Sequence, residues 1–142
     1  MNKETFIRDG NNLLKVLYSE TLDILLQHCI DDYFPELKKK NIKIGHIISL
    51  NDVVGGVKAG DWVILFLPDI IKVEHPANKW IVVHELCHFI NLHNPDAIFK
   101  EKVPKNVWEV WKRLEKVKEL VCDEGWARQR KPEVIGKINQ AN

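Results

Sequence analysis

The sequence predicts an α+β fold: a small, mostly antiparallel three-stranded sheet packed on an N-terminal helix, a buried central helix and a long C-terminal helix. Three observations lead there. Apolar residues recur at helical spacing from Leu13 to Ile30. The middle of the chain, residues 42–67, is rich in β-branched residues and is punctuated by glycines. Two later stretches, beginning at Trp80 and at Val107, return to helical character.

Asn11 or Asn12 is placed to cap the first helix, and Leu13, Leu14, Leu17, Thr21, Leu22, Leu25, Cys29 and Ile30 make its apolar face. Phe34-Pro35 ends it, because a residue before proline avoids the helical region. Residues 42–50, 52–58 and 61–67 read as strands joined by short loops, with Asn51-Asp52 and Gly60-Asp61 as turns and Pro68 closing the sheet. Pro76 opens the second helix, where its missing N–H does no harm. From Trp80 to Leu92 that helix is apolar nearly all round, which marks it as buried. Asn94-Pro95 stops it and a loop follows. Pro104 or Asn106 then opens a third helix reaching about Arg130, with Val107, Val110, Trp111, Leu114, Val117 and Val121 as its stripe. Residues 131–142 are polar and contain Pro132 and Gly136, as a loosely ordered tail would.

The 142 residues make one domain, 1–142, with its core at about 12–130. Twenty-one basic residues face 20 acidic ones, a net charge of +1, so the charge balance predicts neither a nucleic-acid nor a membrane-surface partner. The short run Lys38, Lys39, Lys40 and Lys43 reads as a solvated turn. Cys29, Cys87 and Cys122 are odd in number and lie in apolar segments. They read as small buried hydrophobes in a reducing compartment rather than as a disulfide framework. Residues 1–10 carry Lys3, Glu4, Arg8 and Asp9 and no apolar run. A signal peptide is therefore not expected, and a soluble cytoplasmic protein is.

The chemistry concentrates in His84-Glu85-Leu86-Cys87-His88. Two histidines four apart on a helix share one face, so both imidazoles can reach one ion. Zinc takes imidazole nitrogen readily. The glutamate beside the first histidine then stands near the metal without binding it, placed to take a proton from water. Trp80, Ile81, Val82, Val83, Leu86, Phe89 and Ile90 surround this set with apolar side chains. Buried ionisable groups are costly unless paired or ligated, and a metal answers that cost.

A catalytic zinc needs a third protein ligand. Glu119, 31 residues beyond His88, is one candidate, with Asp123 one turn later to orient a ligating histidine. His93 is the alternative. It lies nine residues past His84, so the helix must end first, with Asn91 as a left-handed cap, for His93 to turn back. Asp123 itself remains open as a ligand.

At these residues the chain resembles a gluzincin metallopeptidase, in which a helix with His-Glu-x-x-His precedes one bearing a zinc-binding glutamate. The matching residues are His84, Glu85 and His88, then Glu119 and Asp123, with Cys122 where that pattern often has alanine. The order of elements is similar to that of the small single-domain minigluzincins. A rival resemblance is to SprT-like zinc proteases, in which a third histidine and an aromatic follow, here His93 and Phe99. Asn91 takes the place where the related metzincin pattern has glycine. Either resemblance implies a zinc metallopeptidase, an endopeptidase rather than an exopeptidase, with Glu85 as base and a polypeptide as substrate. The oxyanion donor is open among His93, Tyr18, Tyr33 and Arg128. The other class of function open at this point is a non-catalytic, zinc-stabilised binding or regulatory domain that retains the motif.

Overall fold

The computed structural model describes residues 3–9, 12–48, 54–67, 76–116 and 120–121. The chain begins with a hairpin. Strand β1 (Lys3–Asp9) pairs antiparallel with β2 (Asn12–Tyr18), from Lys3 opposite Tyr18 to Asp9 opposite Asn12. This corrects the helix expected from Asn11 or Asn12. A short leucine-rich run such as 12–18 satisfies either period, and the continuous ladder with β1 decides for strand. Helix α1 (Glu20–Tyr33) starts only where a cap is available: the Ser19 hydroxyl accepts the Leu22 N–H at 3.3 Å. It ends at Phe34, as Pro35 requires, and a 3-10 turn (Pro35–Lys39) follows.

Strands β3 (Lys43–Ile48), β4 (Val54–Ala59) and β5 (Trp62–Leu67) fall where the sequence put them. Gly60 makes the tight β4–β5 turn with φ +60°, a value that L side chains avoid. The sheet is larger than expected, because the hairpin joins it. Its order is β1-β2-β3-β5-β4-β6, where β6 (Leu120–Val121) is a two-residue edge piece beside five full strands. It is also mixed. β5 lies between β3, to which it is parallel, and β4, to which it is antiparallel.

Helix α2 (Pro76–Ile90) packs on the sheet beside α1 and touches β4 and β5. Asn94-Pro95, expected only to stop α2, starts another helix. The Asn94 side chain accepts the Ala97 N–H at 3.4 Å, and α3 (Pro95–Lys102) replaces the expected loop. Helix α4 (Lys105–Lys116) opens after Pro104 as predicted. The continuous helix to about Arg130 is corrected, since Leu120 and Val121 are strand, parallel to Val54 and Gly55 of β4. The expected tail, 131–142, lies outside the described residues.

The alternation of β5 separates two cores. Val63, Leu65 and Leu67 join Leu22, Leu26, Ile81, Leu86, Phe99 and Trp111 on the helix side. Ile64 and Phe66 join Ile7, Val16, Ile47 and Val57 on the other. A strand buried on both faces reads as an unbroken apolar run, which is what Trp62–Leu67 is. No helix among the described residues is long and apolar enough to cross a membrane.

Candidate metal centre

Helix α2 carries the motif through the middle of the molecule, walled by β4 on one side and by α3 and α4 further on. Gly56 shows how closely the wall approaches. A Cβ there would lie 2.8 Å from Ile81 Cγ2 and 3.4 Å from Glu85 Cγ, so only glycine lets β4 approach the helix so closely.

His84 and His88 stand one turn apart with ring centroids 5.1 Å apart and planes at 86°. One ligand atom from each of His84, Glu85 and His88 lies within 4.8 Å of the others, and no other such group occurs among the described residues. His84 Nε2 is 3.9 Å from Glu85 Oε1. All three side chains are buried, with exposures of 5%, 1% and 7%. This concentrates polar groups where they are expensive to hold without a partner of high charge.

His88 is oriented for ligation. Its Nδ1 lies 2.8 Å from the Leu92 carbonyl oxygen. A carbonyl only accepts, so Nδ1 carries the proton and the lone pair sits on Nε2. That Nε2 is buried and has no hydrogen-bond partner among the described residues. A backbone carbonyl holding the far nitrogen of an imidazole is the usual outer support of a metal-binding histidine. Two imidazoles and a carboxylate form a donor set that suits a borderline divalent cation. The residues therefore fit a metal.

Part of this site escaped the sequence. Trp111 of α4 stacks on His84, with centroids 5.0 Å apart and planes at 26°, and Phe99 of α3 stacks on Trp111 at 5.4 Å and 22°. Trp111 was legible only as one member of an apolar stripe, because contact with an imidazole on another helix leaves no local signal.

The remaining candidates are placed as follows. His93 is exposed in the turn after α2, and its backbone N–H donates to Asn91 Oδ1 at 3.2 Å. The Asn94 N–H bonds the same oxygen at 3.1 Å. Asn91 turns the chain through its side chain and not as a left-handed cap, since no non-glycine residue has positive φ among the described residues. Tyr18 lines a cavity of about 480 Å³ with Asp23, Lys43 and Trp62, none of them in the triad. Tyr33 packs against Trp80 at 6.1 Å. Glu119, Cys122, Asp123 and Arg128 lie outside the described residues. Cys87 is buried between the two histidines, and burial, with Glu85 nearby, pushes its thiol well above the ordinary range. Burial pushes Cys29 up to about 12.

In comparisons with protein-family models, with curated proteins and with solved structures, nothing matches this chain. The site stands on its own geometry: a buried His84, Glu85 and His88 group in His-Glu-x-x-His spacing, on a helix of an α+β fold, forms a candidate metal centre.

Proposed function

We propose that the chain is a zinc-dependent metallopeptidase that hydrolyses peptide bonds. The observation that carries this reading is His88. Its ring is fixed by Leu92, its Nε2 is buried, and one of its ring nitrogens lies within 4.8 Å of ligand atoms of His84 and Glu85. His84 and His88 would hold the metal, and Glu119 would complete the protein ligands, with His93 as the alternative. Asp123 would support a ligating histidine. When bound, zinc would supply a Lewis acid that lowers the pKa of a bound water and polarises the scissile carbonyl. Glu85 takes the proton from the attacking water on its carboxylate and returns it to the leaving nitrogen. Burial keeps Glu85 away from competing solvent.

The strand beside the helix supports a polypeptide as substrate. β6 pairs only with Val54 and Gly55, and among the described residues no strand covers the outer edge of β4 beyond them. An extended polypeptide added along that edge would run past Gly56, whose backbone packs against Glu85. An internal stretch of chain, and so endopeptidase action, suits an edge of this kind.

One observation favours a second reading. Glu85 belongs to the same close group as the histidines, so its carboxylate can close the shell itself and leave a zinc-stabilised, non-catalytic domain. Glu85→Gln separates the two. If Glu85 is the base, the variant binds zinc with wild-type affinity and loses cleavage of an unfolded protein substrate such as casein. If Glu85 is a ligand, zinc affinity falls with it, and the wild type cleaves nothing. Elemental analysis of the purified protein identifies the metal.

A further inference from the structure

We infer that Trp111 is a positioning residue of the metal centre: its indole face sets the His84 ring, and its N–H is kept for an oxygen that enters when the metal is loaded. This rests on the metal-binding reading of His84 and His88 and goes beyond it. His84, Trp111 and Phe99 form a continuous stack, with spacings of 5.0 Å and 5.4 Å. Both Trp111 and Phe99 are fully buried. Rotating the His84 ring would mean breaking its contact with a side chain that cannot itself move aside, so the imidazole is held before any metal arrives.

The second observation is the indole nitrogen. Trp111 Nε1 is buried and has no hydrogen-bond partner among the described residues. Buried tryptophans nearly always satisfy this donor, because leaving it unpaired is unfavourable. Phenylalanine would stack at this position without that penalty. A tryptophan here is explained if its acceptor, which none of the described residues supplies, arrives with the metal. The imidazole lone pairs are used by the ion, so the acceptor is an oxygen that completes its shell, a carboxylate or a water. The indole N–H only donates and does not titrate at physiological pH, so it can serve such an oxygen across the working range.

Trp111→Phe keeps the stack and removes the donor, and it is compared with the wild type in two ways. Zinc affinity, measured by competition with a chromophoric chelator, is expected to weaken about tenfold or more, the usual effect of losing an outer support. The zinc-free variant loses the unpaired donor but also leaves a small cavity, so its melt serves to show that it folds. In wild-type protein labelled with ¹⁵N at tryptophan, the Trp111 indole resonance is expected to move downfield and exchange more slowly when zinc is added. Unchanged zinc affinity in Trp111→Phe, together with an indole resonance indifferent to zinc, would overturn the inference while leaving the metal site standing. If the wild type binds no zinc, or binds it equally well after His84→Ala and His88→Ala, the metal reading itself fails. Should the variant not fold, the labelled wild type decides alone.

Discussion

The imidazole of His88 is tied to the Leu92 carbonyl oxygen by a 2.8 Å hydrogen bond that closes one turn beyond the motif. The orienting group is main chain, so the identity of the side chain at 92, which is exposed, matters little. Leu92→Ala is expected to bind zinc like the wild type. His88→Ala is expected to lose more than about a hundredfold in affinity, beyond what an outer support alone contributes. Competition titration of the two variants tests the assignment. Equal losses would mean that the turn acts through the Leu92 side chain.

Metal binding is linked to folding, because a ligand that prefers the native state stabilises it by mass action. At free zinc about a hundred times the dissociation constant, the gain is about 2.7 kcal/mol. Thermal melts with zinc and with a chelator are expected to differ by roughly 5–15 °C for a chain of this size. His84→Ala should abolish the difference.

Two glycines hold strands at distances no side chain tolerates. A Cβ at Gly45 would lie 2.1 Å from Val16 Cγ1 and 3.0 Å from the Leu17 carbonyl, and one at Gly56 would lie 2.8 Å from Ile81 Cγ2. Gly45→Ala and Gly56→Ala are each expected to cost about 1–3 kcal/mol in urea unfolding, Gly45→Ala the more. They differ in function. Gly56→Ala presses on α2 beside Glu85 and is expected to weaken zinc binding, whereas Gly45→Ala, at the β2–β3 junction, leaves it intact.

Burial raises the thiols of Cys29 and Cys87, so neither forms thiolate near neutral pH. In Cys122→Ser, native protein is expected to react with a disulfide reagent only on the timescale of unfolding, and both thiols should react at once in denaturant. Fast labelling of Cys87 in the native protein would mean that α2 opens readily.

His46 lies on β3, opposite Leu17 of β2 and Leu65 of β5, and burial holds its imidazole below the ordinary range. The unfolded chain therefore takes up the proton first. Stability is complete above the unfolded value of about 6.5 and declines as pH falls from there toward the folded value. His46→Leu is expected to lose this share of the acid sensitivity. Urea midpoints of both proteins at pH 5.5 and 7.5, with chelator present, isolate the effect, because the other histidines are common to both.

The motif was legible because all its geometry is local: a four-residue spacing on one helix fixes where two imidazoles stand. Trp111 and Gly56 were not, since each matters through a neighbour distant in sequence. The sheet divides the same way. β3, β4 and β5 announce themselves through β-branched runs and the Gly60 turn, whereas Asn12–Tyr18 has leucines that suit either period and is decided by pairing with Lys3–Asp9. The length of α4 was misjudged for a related reason: the apolar stripe runs on through Val121, but at Leu120 and Val121 the backbone pairs with β4.

The placement of β5 between β3 and β4 also bears on solubility. Trp62–Leu67 is six consecutive apolar residues with no charge among them, the kind of segment that stacks into cross-β fibres when an edge is free. Here neighbouring strands occupy both edges. Damage that unzips the β4–β5 hairpin should therefore appear first as aggregation, before the loss of helical signal that would mark general unfolding.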